Sequence, residues 1–311
     1  MAMPIESVDD LARAGERHVR LGLAVLPAQM VSATPEAHVF SVVPVVERVY
    51  RHRLLVRISH WLNVPILVIL IMSGLQIFNA YPALYWGDRS DRDRALLAIR
   101  SVQTETGEVK GVTTVLGVKL DTTGLLGYSD GSRWAFPAWM TVPSAKWLAM
   151  GRQWHLFFAW LLVFNGILFT VYALVSRHVA RDLVPTRKDI RVIGLSIKNH
   201  LSLRHPKGDE AKRYNVLQKL AYLVVLMGVA PVIVLTGLAM SPTMDAAFPW
   251  LLTVFGGRQG ARTIHFLSCF SFVGFIVIHV VEVMLTGLFN NLRSMITGWF
   301  IIKHEVVRHE A

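Results

Sequence analysis

Apolar residues along this chain collect in four long blocks and do not recur at the spacing of a surface helix or strand. The blocks run over residues 58–78, 153–176, 217–240 and 263–289. Each has about 20 residues or more, the length that an α-helix needs to cross a hydrocarbon core of about 30 Å. The pattern predicts an all-α integral membrane protein, a four-helix transmembrane bundle with a large outer loop between spans one and two. Pro65 and Pro231 predict kinks in spans one and three.

Composition and charge support this fold class and suggest an orientation. Hydrophobic residues make up 53% of the chain and charged residues 17%, which excludes one soluble core of this length. Between spans two and three, residues 177–217 contain ten Lys or Arg against four acids, as cytoplasmic loops of membrane proteins do. The net charge of +11 therefore has an explanation other than nucleic acid. We therefore predict a protein of the bacterial inner membrane. An even number of spans places both termini on the same side as the basic loop, in the cytoplasm.

This topology divides the chain into segments with different predicted roles. Residues 1–50 form a cytoplasmic extension, residues 51–303 the four-helix domain, and residues 304–311 a cytoplasmic tail. Residues 79–151 are a nearly neutral periplasmic loop, whose glycines alternate with Val, Leu and Thr and predict hairpins. Residues 177–217 are the cytoplasmic loop.

Four histidines lie inside the predicted spans, where ionisable side chains are functional candidates. His265 and His279 are about four helical turns apart in span four, which puts them on one helix face about 21 Å apart in depth. Span two starts outside, so His155 lies at the level of His265. Span one starts inside, so His60 lies at the level of His279. The topology thus predicts two histidine pairs stacked across the membrane.

Two facing imidazoles at one depth are the axial ligand set of a non-covalently bound haem. We therefore predict two bis-histidine b-type haems, with His60, His155, His265 and His279 as iron ligands. Cys269 is the only cysteine of the chain, which excludes the Cys-x-x-Cys-His attachment of c-type haem. Passage of protons or metal ions along the histidines remains the alternative at this stage.

Glycines and arginines near these histidines extend the prediction. Gly74 lies about four helical turns after His60 and Gly166 about three turns after His155, each on the face of its histidine, where a missing side chain lets a macrocycle approach the helix. An Arg-x-x-His pattern occurs three times, and each guanidinium would lie one turn closer to water, within reach of a haem propionate. The arginines of the three motifs are Arg57, Arg152 and Arg262.

With this histidine pattern, the chain resembles the di-haem four-helix cytochrome b family. That family includes the formate dehydrogenase gamma subunit and the nickel–iron hydrogenase cytochrome b subunit. Residues 49–303 are most similar to its thiosulfate reductase cytochrome b subunit-like branch. The runs that carry the resemblance are SHWLN at 59–63, IFNAYPALYWG at 77–87, GRQWH at 151–155, RYNVLQK at 213–219, FGGRQ at 255–259 and NNLRSM at 290–295.

The resemblance implies a membrane subunit that passes electrons between the quinone pool and a catalytic partner. One haem would lie near the outer face, on His155 and His265, and the other near the inner face, on His60 and His279. The family's quinone site corresponds here to Asn215, Gln218 and Lys219, and the partner would be a periplasmic oxidoreductase that uses molybdopterin. The chain has no nucleotide-binding or Walker motif of its own.

Two other functions stay open from the sequence. One is a stand-alone quinol oxidase of the cytochrome b-561 type with a small acceptor such as superoxide, although such a bundle needs only short turns between its helices. The other is a haem-free transporter of protons or metal ions, although few further ionisable residues in the spans would continue a relay.

Overall fold

The computed structural model describes residues 40–143, 146–177, 179, 183–202 and 215–309. Much of the predicted N-terminal extension, the centre of the basic loop and the last two residues therefore lie outside the described residues. The chain divides into two compact units. One contains residues 58–184 and 218–280, and the other contains residues up to 57, 185–217 and 281–311.

Four helical stretches are long and apolar enough to cross a membrane, which confirms the predicted fold class. Between 6% and 28% of each apolar window is buried inside the protein, so most of this surface is apolar and uncovered, as lipid-facing helices require. In chain order the helices are α1 (Leu54–Ala80), α2 (Leu148–Val175), α3 (Arg187–Arg191), α4 (Ile193–Leu201), α5 (Val216–Leu223), α6 (Ala230–Ala239), α7 (Pro242–Ala247), α8 (Trp250–Val254), α9 (Gly257–Leu285) and α10 (Leu288–Thr297).

The third span is interrupted by a π-helical turn over Val224–Val229, between α5 and α6. Pro231 follows this turn at the start of α6. A proline has no N–H and its ring collides with the carbonyl four residues earlier, so the wider π turn just before it accommodates the missing hydrogen bond. The structure thus has a π turn before Pro231, and the kinks expected at Pro65 and Pro231 stay predictions.

The fourth span is shifted along the chain relative to the prediction. Its helix α9 begins at Gly257 and ends at Leu285, whereas the apolar block runs from 263 to 289. Gly287 then adopts a φ of 108°, a left-handed conformation that ends a helix, and α10 begins at Leu288. The apolar residues 288 and 289 therefore belong to α10.

The predicted outer loop contains an antiparallel sheet, which confirms the expected hairpins. Strand β3 (Leu97–Gln103) pairs with β4 (Val109–Val115) over seven residues. Strand β4 continues into β5 (Val118–Asp121) through a two-residue turn at Leu116 and Gly117, both with positive φ. Leu84, Ile99 and Phe136 of the loop pack with Leu75 and Phe78 near the end of α1. The strands are β2 (Ala83–Leu84), β3 (Leu97–Gln103), β4 (Val109–Val115) and β5 (Val118–Asp121).

The other unit contains a long two-stranded ribbon that the sequence analysis missed. Strand β1 (Phe40–Tyr50) pairs antiparallel with β6 (Trp299–His309) along all 11 residues. The boundary drawn at residue 50 coincides with the end of β1, whereas the boundary drawn at residue 303 lies within β6. Both strands are rich in β-branched residues, but their partners are about 250 positions apart, so no local pattern reveals the pairing.

Candidate functional site

The structure brings the four span histidines together in two pairs, as the depth argument predicts. The imidazole centroids of His155 and His265 are 6.2 Å apart with the rings inclined by 66°. Those of His60 and His279 are also 6.2 Å apart, inclined by 62°. We call the first the loop pair, because both residues lie near the helix ends that adjoin the long loop, and the second the terminal pair.

Both separations fit two imidazoles on opposite sides of one iron atom. A metal–imidazole nitrogen bond is about 2 Å long, and ring bonds of about 1.33 Å place a ring nitrogen about 1.1 Å from the ring centre. Two rings that share an axis through one iron then have centroids about 6.3 Å apart. The residues present therefore fit bis-histidine haem, although the role of these histidines as iron ligands stays a prediction.

Hydroxyl groups support the loop pair from neighbouring helices. Ser73 Oγ on α1 is 3.1 Å from His155 Nδ1, and Thr236 Oγ1 on α6 is 3.1 Å from His265 Nδ1. The carbonyl oxygen of Ile233 is 3.0 Å from the same nitrogen of His265. Partners on Nδ1 leave Nε2 as the nitrogen that can bind a metal.

A glycine follows each of these hydroxyl residues and makes room for the histidine ring. A Cβ atom on Gly74 would lie 3.3 Å from His155 Cε1, and one on Gly237 would lie 3.3 Å from His265 Cε1. Gly74 was predicted to admit a macrocycle, and in the structure it borders the ring of His155. Gly166 has no described atom within 4 Å of such a Cβ, so the space beside it is open among the described residues.

The terminal pair has different surroundings. His60 Nδ1 is buried and has no hydrogen-bond partner among the residues that the structure describes. The ring of His279 stacks on Phe275 with centroids 5.8 Å apart and an interplanar angle of 13°. Next to His60 along α1, Asn165 Nδ2 donates to the Ser59 carbonyl (3.1 Å) and to Asn63 Oδ1 (2.8 Å).

The three predicted arginines occupy different environments. Arg262 donates to the Tyr81 carbonyl, and its guanidinium lies 5.6 Å from the ring centre of Phe78 and 5.4 Å from that of Tyr81. Arg152 is exposed in the first turns of α2. Arg57 belongs to the unit that contains the two-stranded ribbon, and it is half-buried beside Gly298 of the same unit. Pairing with haem propionates stays a prediction for all three.

The residues predicted to bind a quinone lie at the beginning of α5. Asn215 Oδ1 accepts a hydrogen bond from the backbone N–H of Leu217 (3.3 Å), a typical contact at the start of a helix. Lys219 is buried and Gln218 is half-buried. Buried polar side chains at one end of an apolar span suit a quinone headgroup, and this site stays a prediction.

The loop is attached to the helices next to the loop pair by buried polar contacts. Asn79 at the end of α1 donates to the Phe136 carbonyl (3.0 Å) and accepts from its N–H (2.7 Å). The Gly87 carbonyl accepts from the N–H groups of Gln259 (2.9 Å) and Gly260 (3.2 Å) in the first turn of α9. The contact at Gly87 joins the runs at 77–87 and 255–259.

Two tyrosines at this junction hydrogen-bond to each other. The hydroxyls of Tyr81 and Tyr85 are 3.2 Å apart. The hydrogen bond from Tyr85 lowers the pKa of Tyr81, whereas burial raises the pKa of Tyr85.

Sequence reasoning missed Ser73, Thr236 and Gly237. A repeat in the sequence marks them: Leu-x-x-Ser-Gly at 70–74 in span one recurs as Ile-x-x-Thr-Gly at 233–237 in span three. The next span in each case begins with a second repeat, Gly-Arg-x-x-His at 151–155 and Ala-Arg-x-x-His at 261–265. Each hairpin of two spans therefore carries the same local set around its histidine.

Comparison with known proteins identifies the family. The model of the family described as prokaryotic cytochrome b561 matches residues 110–298, more than half of the chain. A protein of Azospira oryzae named "Putative protein-methionine-sulfoxide reductase subunit YedZ1" is 26% identical over 244 residues, which are 78% of this chain and 93% of the relative. The chain therefore belongs to the prokaryotic cytochrome b561 family, a family of haem b-binding membrane proteins that transfer electrons.

Proposed function

We propose that this protein is a di-haem electron-transfer subunit that connects the quinone pool with an oxidoreductase on the side of the long loop. The observation that carries the proposal is the presence of two histidine pairs with the same 6.2 Å ring separation in one bundle. One pair would support only one haem b. Two pairs at opposite depths of α9 provide ligands near both ends of the membrane-spanning helices.

The side chains of this protein would hold each cofactor and control access to it. Bound haem supplies one-electron oxidation and reduction at its iron. His155 and His265 would ligate the haem on the loop side, and His60 and His279 the haem on the side of the termini. Both positions lie within apolar spans, and Arg152 and Arg262 would offer guanidinium groups to the propionates at the loop side.

The quinone would bind at the opposite end, next to the start of α5. Asn215 and Gln218 offer amide groups that hydrogen-bond to quinone carbonyls, and Lys219 is an ammonium donor. The support for this assignment is the position of these residues in the family motif and the burial of Lys219. Replacing both amides, Asn215→Ala and Gln218→Ala, should abolish quinol-dependent haem reduction while dithionite still reduces the haem.

The partner would be a periplasmic oxidoreductase, with molybdopterin as its cofactor. The relative in Azospira oryzae is named as a reductase subunit, which supports a multisubunit assembly. The four-stranded sheet of the long loop would contact this partner. The stand-alone quinol oxidase predicts instead that the purified chain oxidises quinol with superoxide.

Haem stoichiometry tests the proposal directly. The full chain, purified from membranes in mild detergent, should contain two haems b per polypeptide in a pyridine haemochrome assay. One haem per polypeptide would overturn the di-haem assignment. Co-purification from the native host should then identify an oxidoreductase subunit, and its absence together with superoxide-dependent quinol oxidation would replace the partner model by the stand-alone enzyme.

A further inference from the structure

We propose that Ser73 and Thr236 are positioning residues, which hold His155 and His265 in the tautomer that binds iron through Nε2 and lower the midpoint potential of the haem at the loop pair. This inference rests on the proposed di-haem function. It adds a pair of tuning residues, which the motif around the histidines had not indicated.

The hydrogen of each hydroxyl is already used within its own helix. Ser73 Oγ is 2.6 Å from the Ile69 carbonyl oxygen and 3.2 Å from that of Leu70. Thr236 Oγ1 is 2.7 Å from the carbonyl oxygen of Val232 and 3.1 Å from that of Ile233. A carbonyl oxygen only accepts, and a hydroxyl has one hydrogen, so both hydroxyls donate to their own backbone.

The contact with the ring must therefore run in the other direction. At 3.1 Å, Nδ1 of each histidine donates its N–H to the hydroxyl oxygen, and at His265 this hydrogen is shared with the Ile233 carbonyl at 3.0 Å. A neutral imidazole that carries its hydrogen on Nδ1 has its lone pair on Nε2, and this is the form that a metal ligand needs. The tautomer of the loop pair is thus set before any cofactor binds.

Burial separates these two hydroxyls from others that make the same intrahelical bond. Ser73 and Thr236 are both 0% exposed. Thr170 and Ser271 also donate to the carbonyl four residues earlier, at 2.7 and 2.9 Å, but both are exposed. Only the buried pair faces a histidine ring, and the glycine that follows each hydroxyl lets the ring come within reach. The same arrangement is built twice, once on α1 and once on α6.

A hydrogen bond from Nδ1–H to an oxygen has a known effect on a metal ligand. It increases the basicity of the imidazole, which stabilises the ferric more than the ferrous iron and so lowers the midpoint potential. His60 Nδ1 has no such partner among the described residues. Removing the hydroxyls should therefore change the haem at the loop pair and leave the other haem unchanged.

The test compares Ser73→Ala and Thr236→Val with the exposed matched controls Ser271→Ala and Thr170→Val. Each purified full chain is titrated with redox mediators while haem absorbance is followed, and haem content is measured in parallel. We expect two haems throughout and a higher midpoint potential for one of them in the buried variants. The expected size is about a three- to tenfold change in the ferric-to-ferrous ratio at fixed potential, where tenfold equals about 59 mV.

Further variants test whether the hydroxyl group itself causes the change in midpoint potential. Thr236→Ser retains the hydroxyl and should restore the original potential. If the Ala or Val variants do not accumulate, Ser73→Cys and Thr236→Cys fill the space with a weak acceptor and should give the same shift. Two unchanged midpoint potentials with full haem content would overturn the inference. Fewer than two haems in the unaltered chain would instead overturn the proposed di-haem function.

Discussion

The loop pair and the terminal pair share a ring separation but differ in what surrounds them. The loop pair lies between two hairpins that carry the same Ser/Thr-Gly and Arg-x-x-His sets, and its Nδ1 atoms contact hydroxyls. At the terminal pair, the Nδ1 atom of His60 is without a partner among the described residues. Similar ring geometry therefore arises from two kinds of support, which should give the two sites different redox and stability properties.

The sequence repeat between the first two and the last two spans includes the histidines of the loop pair but not those of the terminal pair. When the Ser-Gly and Thr-Gly motifs of spans one and three are aligned, the position equivalent to His60 is Leu223. When the Arg-x-x-His motifs of spans two and four are aligned, the position equivalent to His279 is Phe169. Spans two and three thus lack the second histidine, so both histidines of the terminal pair come from α1 and α9.

The largest expected effect is the loss of one haem when one pair is broken. His265→Ala should remove the haem at the loop pair, and His279→Ala should remove the haem at the terminal pair. One remaining imidazole binds haem more weakly than two imidazoles do. Haem per polypeptide should fall from two to one in each variant. His52→Ala, outside both pairs, should retain two, and retention of two in His279→Ala would contradict the pairing.

Glycine substitutions should distinguish positions where the added methyl group meets a histidine ring of the loop pair from positions where it meets no described atom. Gly74→Ala and Gly237→Ala each place a methyl group 3.3 Å from a histidine carbon, which forces the ring to move. We expect a lower haem content or an altered low-spin electron paramagnetic resonance signal at the loop pair only.

Gly166→Ala is the matched variant for this experiment. Its added methyl group meets no described atom within 4 Å, so the protein itself does not oppose it. A loss of haem in Gly166→Ala would identify this glycine as a contact of the macrocycle. Unchanged haem content would show that the open space beside Gly166 is not used by a cofactor.

A smaller effect is expected at the terminal pair from Asn165→Leu. This change keeps the approximate volume but removes two buried hydrogen bonds to the turn that contains His60, at a cost of about 1–3 kcal/mol. The midpoint potential of one haem should change and thermal unfolding in detergent should occur at a lower temperature. A shift in the haem whose potential responds to Thr236→Val would show that the two pairs are not independent.

The smallest effect concerns the hydrogen-bonded tyrosines Tyr81 and Tyr85 at the junction of the long loop and α1. The hydrogen bond from Tyr85 favours the phenolate of Tyr81 and so lowers the pKa of Tyr81. Tyr85→Phe removes that donor, and the pKa of Tyr81 should rise, so its phenolate should form at a higher pH than in the unaltered chain. Ring-labelled tyrosine followed by NMR during an alkaline titration measures the shift, and an unchanged curve would contradict the assigned donor.

Local sequence patterns predicted the helices and the histidine pairing well for a physical reason. A membrane span needs a continuous apolar run, so its position is visible without knowledge of its neighbours. The antiparallel order of the spans then fixes the depth of each histidine. The hairpins in the loop were visible in the same way, because tight turns such as that at Gly117 require glycine.

Other features depend on contacts between distant residues. Nothing local in the segment before Tyr50 shows that it forms a strand with Trp299–His309. Ser73 and Thr236 resemble ordinary small polar residues of a span until the rings of His155 and His265 are found beside them. Gly74 was placed on the correct face of its helix, but its neighbour turned out to be a histidine of another helix.

The sequence by itself therefore determined the membrane class, the four spans and the levels of the four histidines, because hydrophobic length and helical rise act within one segment. Only the tertiary structure decided which atoms support the histidines of the loop pair and how the long loop is attached near Asn79. These properties depend on hydrogen bonds of about 3 Å between helices. Such distances are set by how whole helices pack, and no single stretch of sequence contains them.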